Sequence, residues 1–102
     1  MSVRQALELA TMGGARLLGR DQEIGSLEAG KLADIALWRL DTLPHAGLAD
    51  PVAALVLGPQ PPLELLLVNG RPVVERDRVV TVDEHHVAGA AQRAGEALAG
   101  RR

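Results

Sequence analysis

The sequence predicts an α+β fold, with helices at both ends of the chain and a small sheet between them. Three observations carry that prediction. Apolar residues recur at helical spacing in the first and last segments, residues 24–82 break into short apolar runs separated by Gly, Asp and Pro, and Asn69-Gly70 joins two of those runs. A 3.6-residue period marks an amphipathic helix, whereas short apolar runs bounded by turn residues mark strands.

Ser2 followed by Gln5 forms a candidate capping box, after which Val3, Ala6, Leu7 and Ala10 share one helical face. A first helix is therefore predicted over residues 3–10. Thr11 is placed to cap a second short helix that carries Ala15, Leu17 and Leu18 and ends at Gly19, a residue that tolerates positive φ. Gly13 and Gly14 each lower helix propensity by about 1 kcal/mol, so close packing or a break between the two helices is expected there. Residues 24–27 then read as a short strand, 28–31 as a turn using Gly30, and 33–40 as a strand containing Ile35 and Trp38. Residues 41–50 read as loop.

Asp50-Pro51 has the form of an N-cap with proline at the first helical position, starting a short apolar helix through Leu57. Gly58-Pro59-Gln60-Pro61-Pro62 stops it. Strands over 63–68 and 71–75 flank Asn69-Gly70, a strong hairpin signal because both residues tolerate φ > 0. Residues 79–82 are a candidate third strand after Arg76-Asp77. Asp83 is placed to cap a final Ala-rich helix in which Val87, Ala90, Ala91, Ala94 and Leu98 repeat at helical spacing.

At 102 residues the chain fits one small domain, 1–102. It divides into flanking helices (1–19), a small sheet with one short helix (24–82) and a closing helix (83–99). A catalytic barrel of about 250 residues is excluded by length. Phe and Tyr are absent and Trp38 is the one aromatic residue, so any core must be built from Leu, Val, Ala and Ile, and marginal stability in isolation is expected. A formal charge of −2 and a single aromatic side chain point to no nucleic-acid partner. No apolar run approaches the roughly 20 residues of a membrane span, and the N-terminus lacks the pattern of a signal peptide. The absence of cysteine removes disulfides and thiolate metal sites and suits a cytoplasmic protein.

The segment from Ala10 to Asp34 contains A-T-x-x-G-A-R-x-L-G followed by I-G-S-L-E-x-G-K-x-A-D. The matching residues are Ala10, Thr11, Gly14, Ala15, Arg16, Leu18, Gly19, Ile24, Gly25, Ser26, Leu27, Glu28, Gly30, Lys31, Ala33 and Asp34. This run resembles the closing segment of the metal-dependent amidohydrolase superfamily, in the branch of cytosine and 8-oxoguanine deaminases and triazine chlorohydrolases. D-P-V-A-A-L-V from Asp50, V-N-G-R-P-V-V from Val68 and T-V-D-E from Thr81 extend the resemblance over most of the chain. The resemblance implies a C-terminal fragment of the composite β-sandwich domain with flanking helices, the catalytic barrel being absent. In the intact family, N-terminal strands join these C-terminal strands, and the final helix packs on the barrel. The implied chemistry is attack by hydroxide, activated on zinc or iron, at a ring carbon bearing an amino group, with release of ammonia.

No catalytic, cofactor-binding or metal-binding residue is assigned within the chain. The family's barrel needs a His-x-His pair, two further His and an Asp, and the histidines here are His45, His85 and His86. Adjacent helical residues point about 100° apart, so His85 and His86 read as a solvated first turn, and His45 as a surface loop imidazole. Asp34 and Glu28 read as acceptors for backbone amides rather than as an acid-base pair, Lys31 as exposed, and Arg16 as an ion-pair or helix-capping residue. Gly13-Gly14-Ala15-Arg16 lacks the spacing of a phosphate loop or a dinucleotide site, which favours close packing.

The leading expectation is thus a fragment, inactive alone, of an enzyme that deaminates a purine, pyrimidine or triazine-like heterocycle. Its partners would be the missing catalytic barrel and N-terminal strands, and an uncovered apolar face and unpaired sheet edge predict self-association. The rivals are a non-enzymatic assembly or binding module, and the equivalent piece of a hydantoinase- or imidazolonepropionase-like cyclic amidase. An upstream reading frame with barrel motifs would mark the fragment, and a start site with its own ribosome-binding signal the module.

Overall fold

The computed structural model describes residues 1–101. Ser2 caps as predicted: its hydroxyl accepts from the Gln5 amide at 3.1 Å, and the Gln5 side chain accepts from the Ser2 amide at 2.8 Å. The helix α1 (Val3–Glu8) begins there, but no break follows. A π-helical turn over Leu9–Gly13 leads directly into α2 (Gly14–Leu17). Thr11 caps nothing. Its hydroxyl donates to the Leu7 carbonyl at 2.8 Å, while the Gly14 amide reaches Leu9, five residues back. Such back-bonding competes with the regular ladder, and the wider turn absorbs the conflict without ending the helix. Gly19, at φ +69°, closes α2 as expected. Its amide bonds to the Arg16 carbonyl at 3.0 Å and that of Arg20 to Ala15 at 2.8 Å, the paired pattern of a Schellman motif.

The strand expected over 24–27 does not form. The Ile24 amide bonds locally to the Arg20 carbonyl at 3.0 Å, and Gly25 lies at φ +99°, outside the range of any strand. Close packing occurs here and not at Gly14. A Cβ on Gly25 would lie 2.8 Å from both the Ala15 Cβ and the Met12 sulfur, whereas one on Gly14 would meet nothing within 4 Å.

Strand β1 (Ile35–Trp38) is shorter than the 33–40 expected, and the loop over 41–50 contains a 3₁₀ turn, Leu43–His45. Asp50 caps α3 (Pro51–Leu57) as predicted, accepting from the Val52 amide at 3.0 Å. Strands β2 (Leu63–Val68) and β3 (Arg71–Glu75) pair through a turn in which Asn69 and Gly70 take φ of 50° and 76°. The third strand, β4 (Arg78–Val79), starts earlier and is shorter than the 79–82 expected. Asp83 caps α4 (Glu84–Ala99), accepting from the His86 amide at 3.2 Å.

The described residues form one four-stranded antiparallel sheet in the order β1-β2-β3-β4. Directly opposite residues share a face, so Leu37, Leu65, Glu75 and Arg78 form a row on one side and Ala36, Leu66, Val74 and Val79 a row on the other. Ala36 and Trp38 border a groove with Leu7 of α1 and Leu55 of α3, which places the helices on that second side.

Among the described residues only Ala15, His45, Ala54 and Pro61 are buried. The accessible surface is 7869 Å², against about 5,500 Å² for a compact protein of this mass. The radius of gyration, 17.4 Å, likewise exceeds the roughly 13 Å of a compact domain of this length. About 2,300 Å² of surface is therefore in excess of what a self-contained fold leaves exposed.

Candidate functional site

The histidines do not converge. His85 and His86 are exposed in the first turn of α4, as expected. His45 corrects the sequence reading. It is only 3% exposed, because the 3₁₀ turn directs its ring toward α3. Gly58 makes room for it: a Cβ there would collide with the Ala54 carbonyl and lie 3.3 Å from the His45 Cδ2. The Nε2 atom lies 2.8 Å from the Pro59 carbonyl and Nδ1 2.6 Å from the Thr42 hydroxyl. A carbonyl only accepts, so Nε2 carries a proton and donates it to Pro59, and in the neutral ring Nδ1 accepts from the Thr42 hydroxyl. Both nitrogens are engaged, and neither is free for a metal. Among the described residues no group of three or more His, Cys, Asp or Glu is placed to hold an ion, so the side chains present do not fit a divalent metal.

Lys31 is the second correction. Its side chain is 11% exposed, because the loop over 20–32 folds it back toward the π-helical turn. The ammonium donates to the Ser26 hydroxyl at 2.8 Å and the Ile24 carbonyl at 3.4 Å, and pairs with Glu28 at 3.1 Å. Glu28 thus bonds side chains, not the backbone amides expected of it. The Ser26 hydroxyl first, and Lys31 second, hold its carboxyl below the usual carboxylate range. Asp34 behaves as predicted, accepting from the Asn69 amide at 2.7 Å and so tying the start of β1 to the hairpin. Arg16 lies 3.8 Å from Glu8 in an exposed pair, a weak contribution to stability. Arg39 and Asp41 pair at 2.8 Å, which holds the Asp41 carboxyl down.

Sequence reasoning missed Thr42, Ser26 and Met12 as partners. Ser26 and Met12 meet Lys31 only through loop folding, while Thr42 stands three residues before His45, a spacing that a 3₁₀ turn brings together.

The groove between the helices and the sheet has a volume of about 600 Å³. Leu7, Ala10, Leu18, Ile24, Trp38 and Leu55 line it. Asp34 is the one charged residue bordering it, and its carboxylate is engaged by Asn69. The groove can bury apolar surface but presents no acid-base pair.

Known proteins show the same segment. The sequence pattern of the amidohydrolase family matches residues 1–74. The chain is 40% identical over 94 residues to a 5-methylthioadenosine/S-adenosylhomocysteine deaminase of Desulforudis audaxviator, a match spanning 90% of this chain and 22% of that protein. It superposes with a TM-score of 0.89 and 25% identity on an adenosine deaminase of Xanthomonas campestris with bound zinc, covering 97% of this chain and 23% of the other. With atrazine chlorohydrolase of Arthrobacter aurescens TC1, complexed with zinc, the TM-score is 0.84 at 38% identity, over 90% of this chain and 20% of that one. The chain thus spans about a fifth of the length of these relatives. With the family pattern covering most of its length and the fold reproduced in solved relatives, the chain belongs to the amidohydrolase family.

Proposed function

We propose that the chain is the C-terminal part of an amidohydrolase that hydrolytically deaminates a purine, pyrimidine or triazine-like heterocycle. The observation that carries this reading is a family segment with about 2,300 Å² of surplus surface and, among the described residues, no metal-binding cluster. Such a piece serves as architecture. On this reading the helical groove seats against the catalytic barrel, and the four strands complete a composite β-sandwich with strands from outside residues 1–102. The substrate class rests on the relatives, whose names give adenosine-type nucleosides and a triazine as substrates.

Deamination adds water across a C–NH₂ centre and expels ammonia, which requires an activated water and a proton for the leaving amine. No residue of this chain is assigned either role. The two solved relatives carry zinc, and a divalent metal of the whole enzyme would take its ligands from outside this segment. Among the described residues no helix is long and apolar enough to cross a membrane. The proposed place of action is the cytoplasm, a reading that rests on the absence of cysteine.

The test has two arms. Purified chain incubated with Zn²⁺ or Fe²⁺ and a panel of aminopurines, pyrimidines and amino-triazines is expected to release no ammonia. The barrel portion of the Desulforudis deaminase, truncated ahead of the matching 94 residues, is expected to gain activity when this chain is added. Metal-dependent ammonia release by the chain alone, above that of a His45, His85 and His86 triple-alanine variant, overturns the architectural reading.

A further inference from the structure

Asn69 is the one asparagine in the sequence, and a glycine follows it. Both residues are exposed at the tip of the β2-β3 hairpin. Glycine has no Cβ to keep its amide nitrogen away from the Asn69 side chain, so the pair is composed for self-modification. In that reaction the Gly70 nitrogen gives up its proton to hydroxide from the solvent and attacks the Asn69 Cγ. The side-chain amino group leaves as ammonia, taking a proton from water, and a five-membered imide remains. Water then adds across either imide C–N bond, which leaves aspartate or isoaspartate at position 69. The net change is uptake of one water and loss of one ammonia.

The fold opposes the first step. An imide nitrogen carries no hydrogen, yet the Gly70 amide donates to the Ala33 carbonyl at 2.9 Å. Ring closure therefore has to break that bond. The adjacent Asn69 amide donates to the Asp34 carboxylate at 2.7 Å. Together the two bonds pin the turn to the residues just ahead of β1, with Asn69 and Gly70 at φ of 50° and 76°. The Asp34 charge also disfavours the negative charge that builds on the neighbouring nitrogen as its proton departs.

We propose that Asn69 is a deamidation site held in reserve by Ala33 and Asp34, which reacts only while the hairpin tip is lifted from the start of β1. Such lifting is a local opening of an exposed turn and does not require the chain to unfold. Ammonia escapes into solvent, so the product accumulates and records the time spent open. The inference rests on the turn and its two ties, and it stands independently of the deaminase reading.

Mass spectrometry of the full chain, held at mildly alkaline pH and then digested, follows conversion at residue 69, and enzymatic methylation of isoaspartate identifies the rearranged product. The folded chain is expected to convert about tenfold or more slowly than the chain in denaturing urea, since two hydrogen bonds, one of them to a carboxylate, must open first. Folded Asp34→Ala is expected to convert about fivefold faster than the parent, and Asp34→Asn, which keeps an acceptor oxygen, to be less affected. In urea all three should convert at one rate. Circular dichroism checks that the variants fold. Should Asp34→Ala unfold, amide hydrogen exchange in the parent takes its place: as urea is raised below the unfolding transition, conversion is expected to rise in step with the loss of Gly70 protection. No conversion at Asn69 in urea, a folded chain that converts as fast as the unfolded one, a folded Asp34→Ala no faster than the parent, or conversion that does not follow Gly70 protection would each overturn the inference.

Discussion

Replacing Gly25 by alanine is expected to destabilise the chain by about 2 to 5 kcal/mol, whereas the same replacement at Gly14 is expected to stabilise it by about 1 kcal/mol. At Gly25 two costs add. The backbone sits at φ +99°, where an L side chain meets its own carbonyl, at about 1 to 2 kcal/mol. The new methyl would also lie 2.8 Å from the Ala15 Cβ and from the Met12 sulfur. Ala15 is one of the few buried side chains, so relief requires moving the loop off the helix, an overpacking cost of about 1 to 3 kcal/mol. Gly14 lies in ordinary helical geometry, φ −63°, with open space around its Cα, so alanine there gains helix propensity alone. Thermal and urea unfolding at one fixed protein concentration reads both. At about 4 to 8 °C per kcal/mol for a chain of this size, Gly25→Ala should lower Tm by about 10 °C or more and Gly14→Ala raise it by several degrees. A neutral Gly25→Ala, or the same sign for both variants, would refute the placement of the loop against the helix.

Gly70→Val should cost about 1 to 2 kcal/mol, because Gly70 holds φ +76° in the β2-β3 turn, and an unchanged urea midpoint would contradict that turn. Asp34→Ala should lose about 1 kcal/mol by freeing the Asn69 amide, while Asp34→Asn, which keeps an acceptor oxygen, should lose less; equal losses would argue against the hydrogen bond. The folded-state pKa values of Glu28 and Asp41 are depressed, so their contribution is complete above the unfolded carboxylate value of about 4 and is lost as pH falls through the folded values. The urea midpoint should therefore fall between neutral pH and pH 3. Less of that fall should remain in a Glu28→Gln, Asp41→Asn double variant, and an equally steep loss in the variant would exclude these two groups as its source.

Local chemistry made much of the fold legible in the residues themselves. The capping box at Ser2, the Asp50-Pro51 and Asp83 helix starts, the closure at Gly19 and the Asn69-Gly70 hairpin each depend on a side chain and a backbone group within a few positions of each other. The family was legible for the same reason, since its ordered motif lies in contiguous sequence. Errors arose where a distant contact competed with local preference. Ile24 to Leu27 has a strand's composition, but the packing of Gly25 on Ala15 turns the backbone away. Thr11 is a different case, in which two local options compete: it could cap a helix, yet its hydroxyl donates to the Leu7 carbonyl four residues back and the helix runs through it.

The candidate site divides in the same way. That the three histidines have no chelating spacing could be read from their positions, because ligand geometry on a helix follows from sequence offset. The burial of His45 and Lys31 could not. His45 is enclosed by Pro59, fourteen residues on, and Lys31 by Met12, nineteen residues back, through partners that only chain folding brings near. Sequence by itself determined where helices start, where the hairpin turns and which family the segment joins, all properties of short contiguous stretches. Tertiary structure alone decided which polar side chains are buried, which glycine is packed and which sheet face is left open, because those depend on what the rest of the chain places against them.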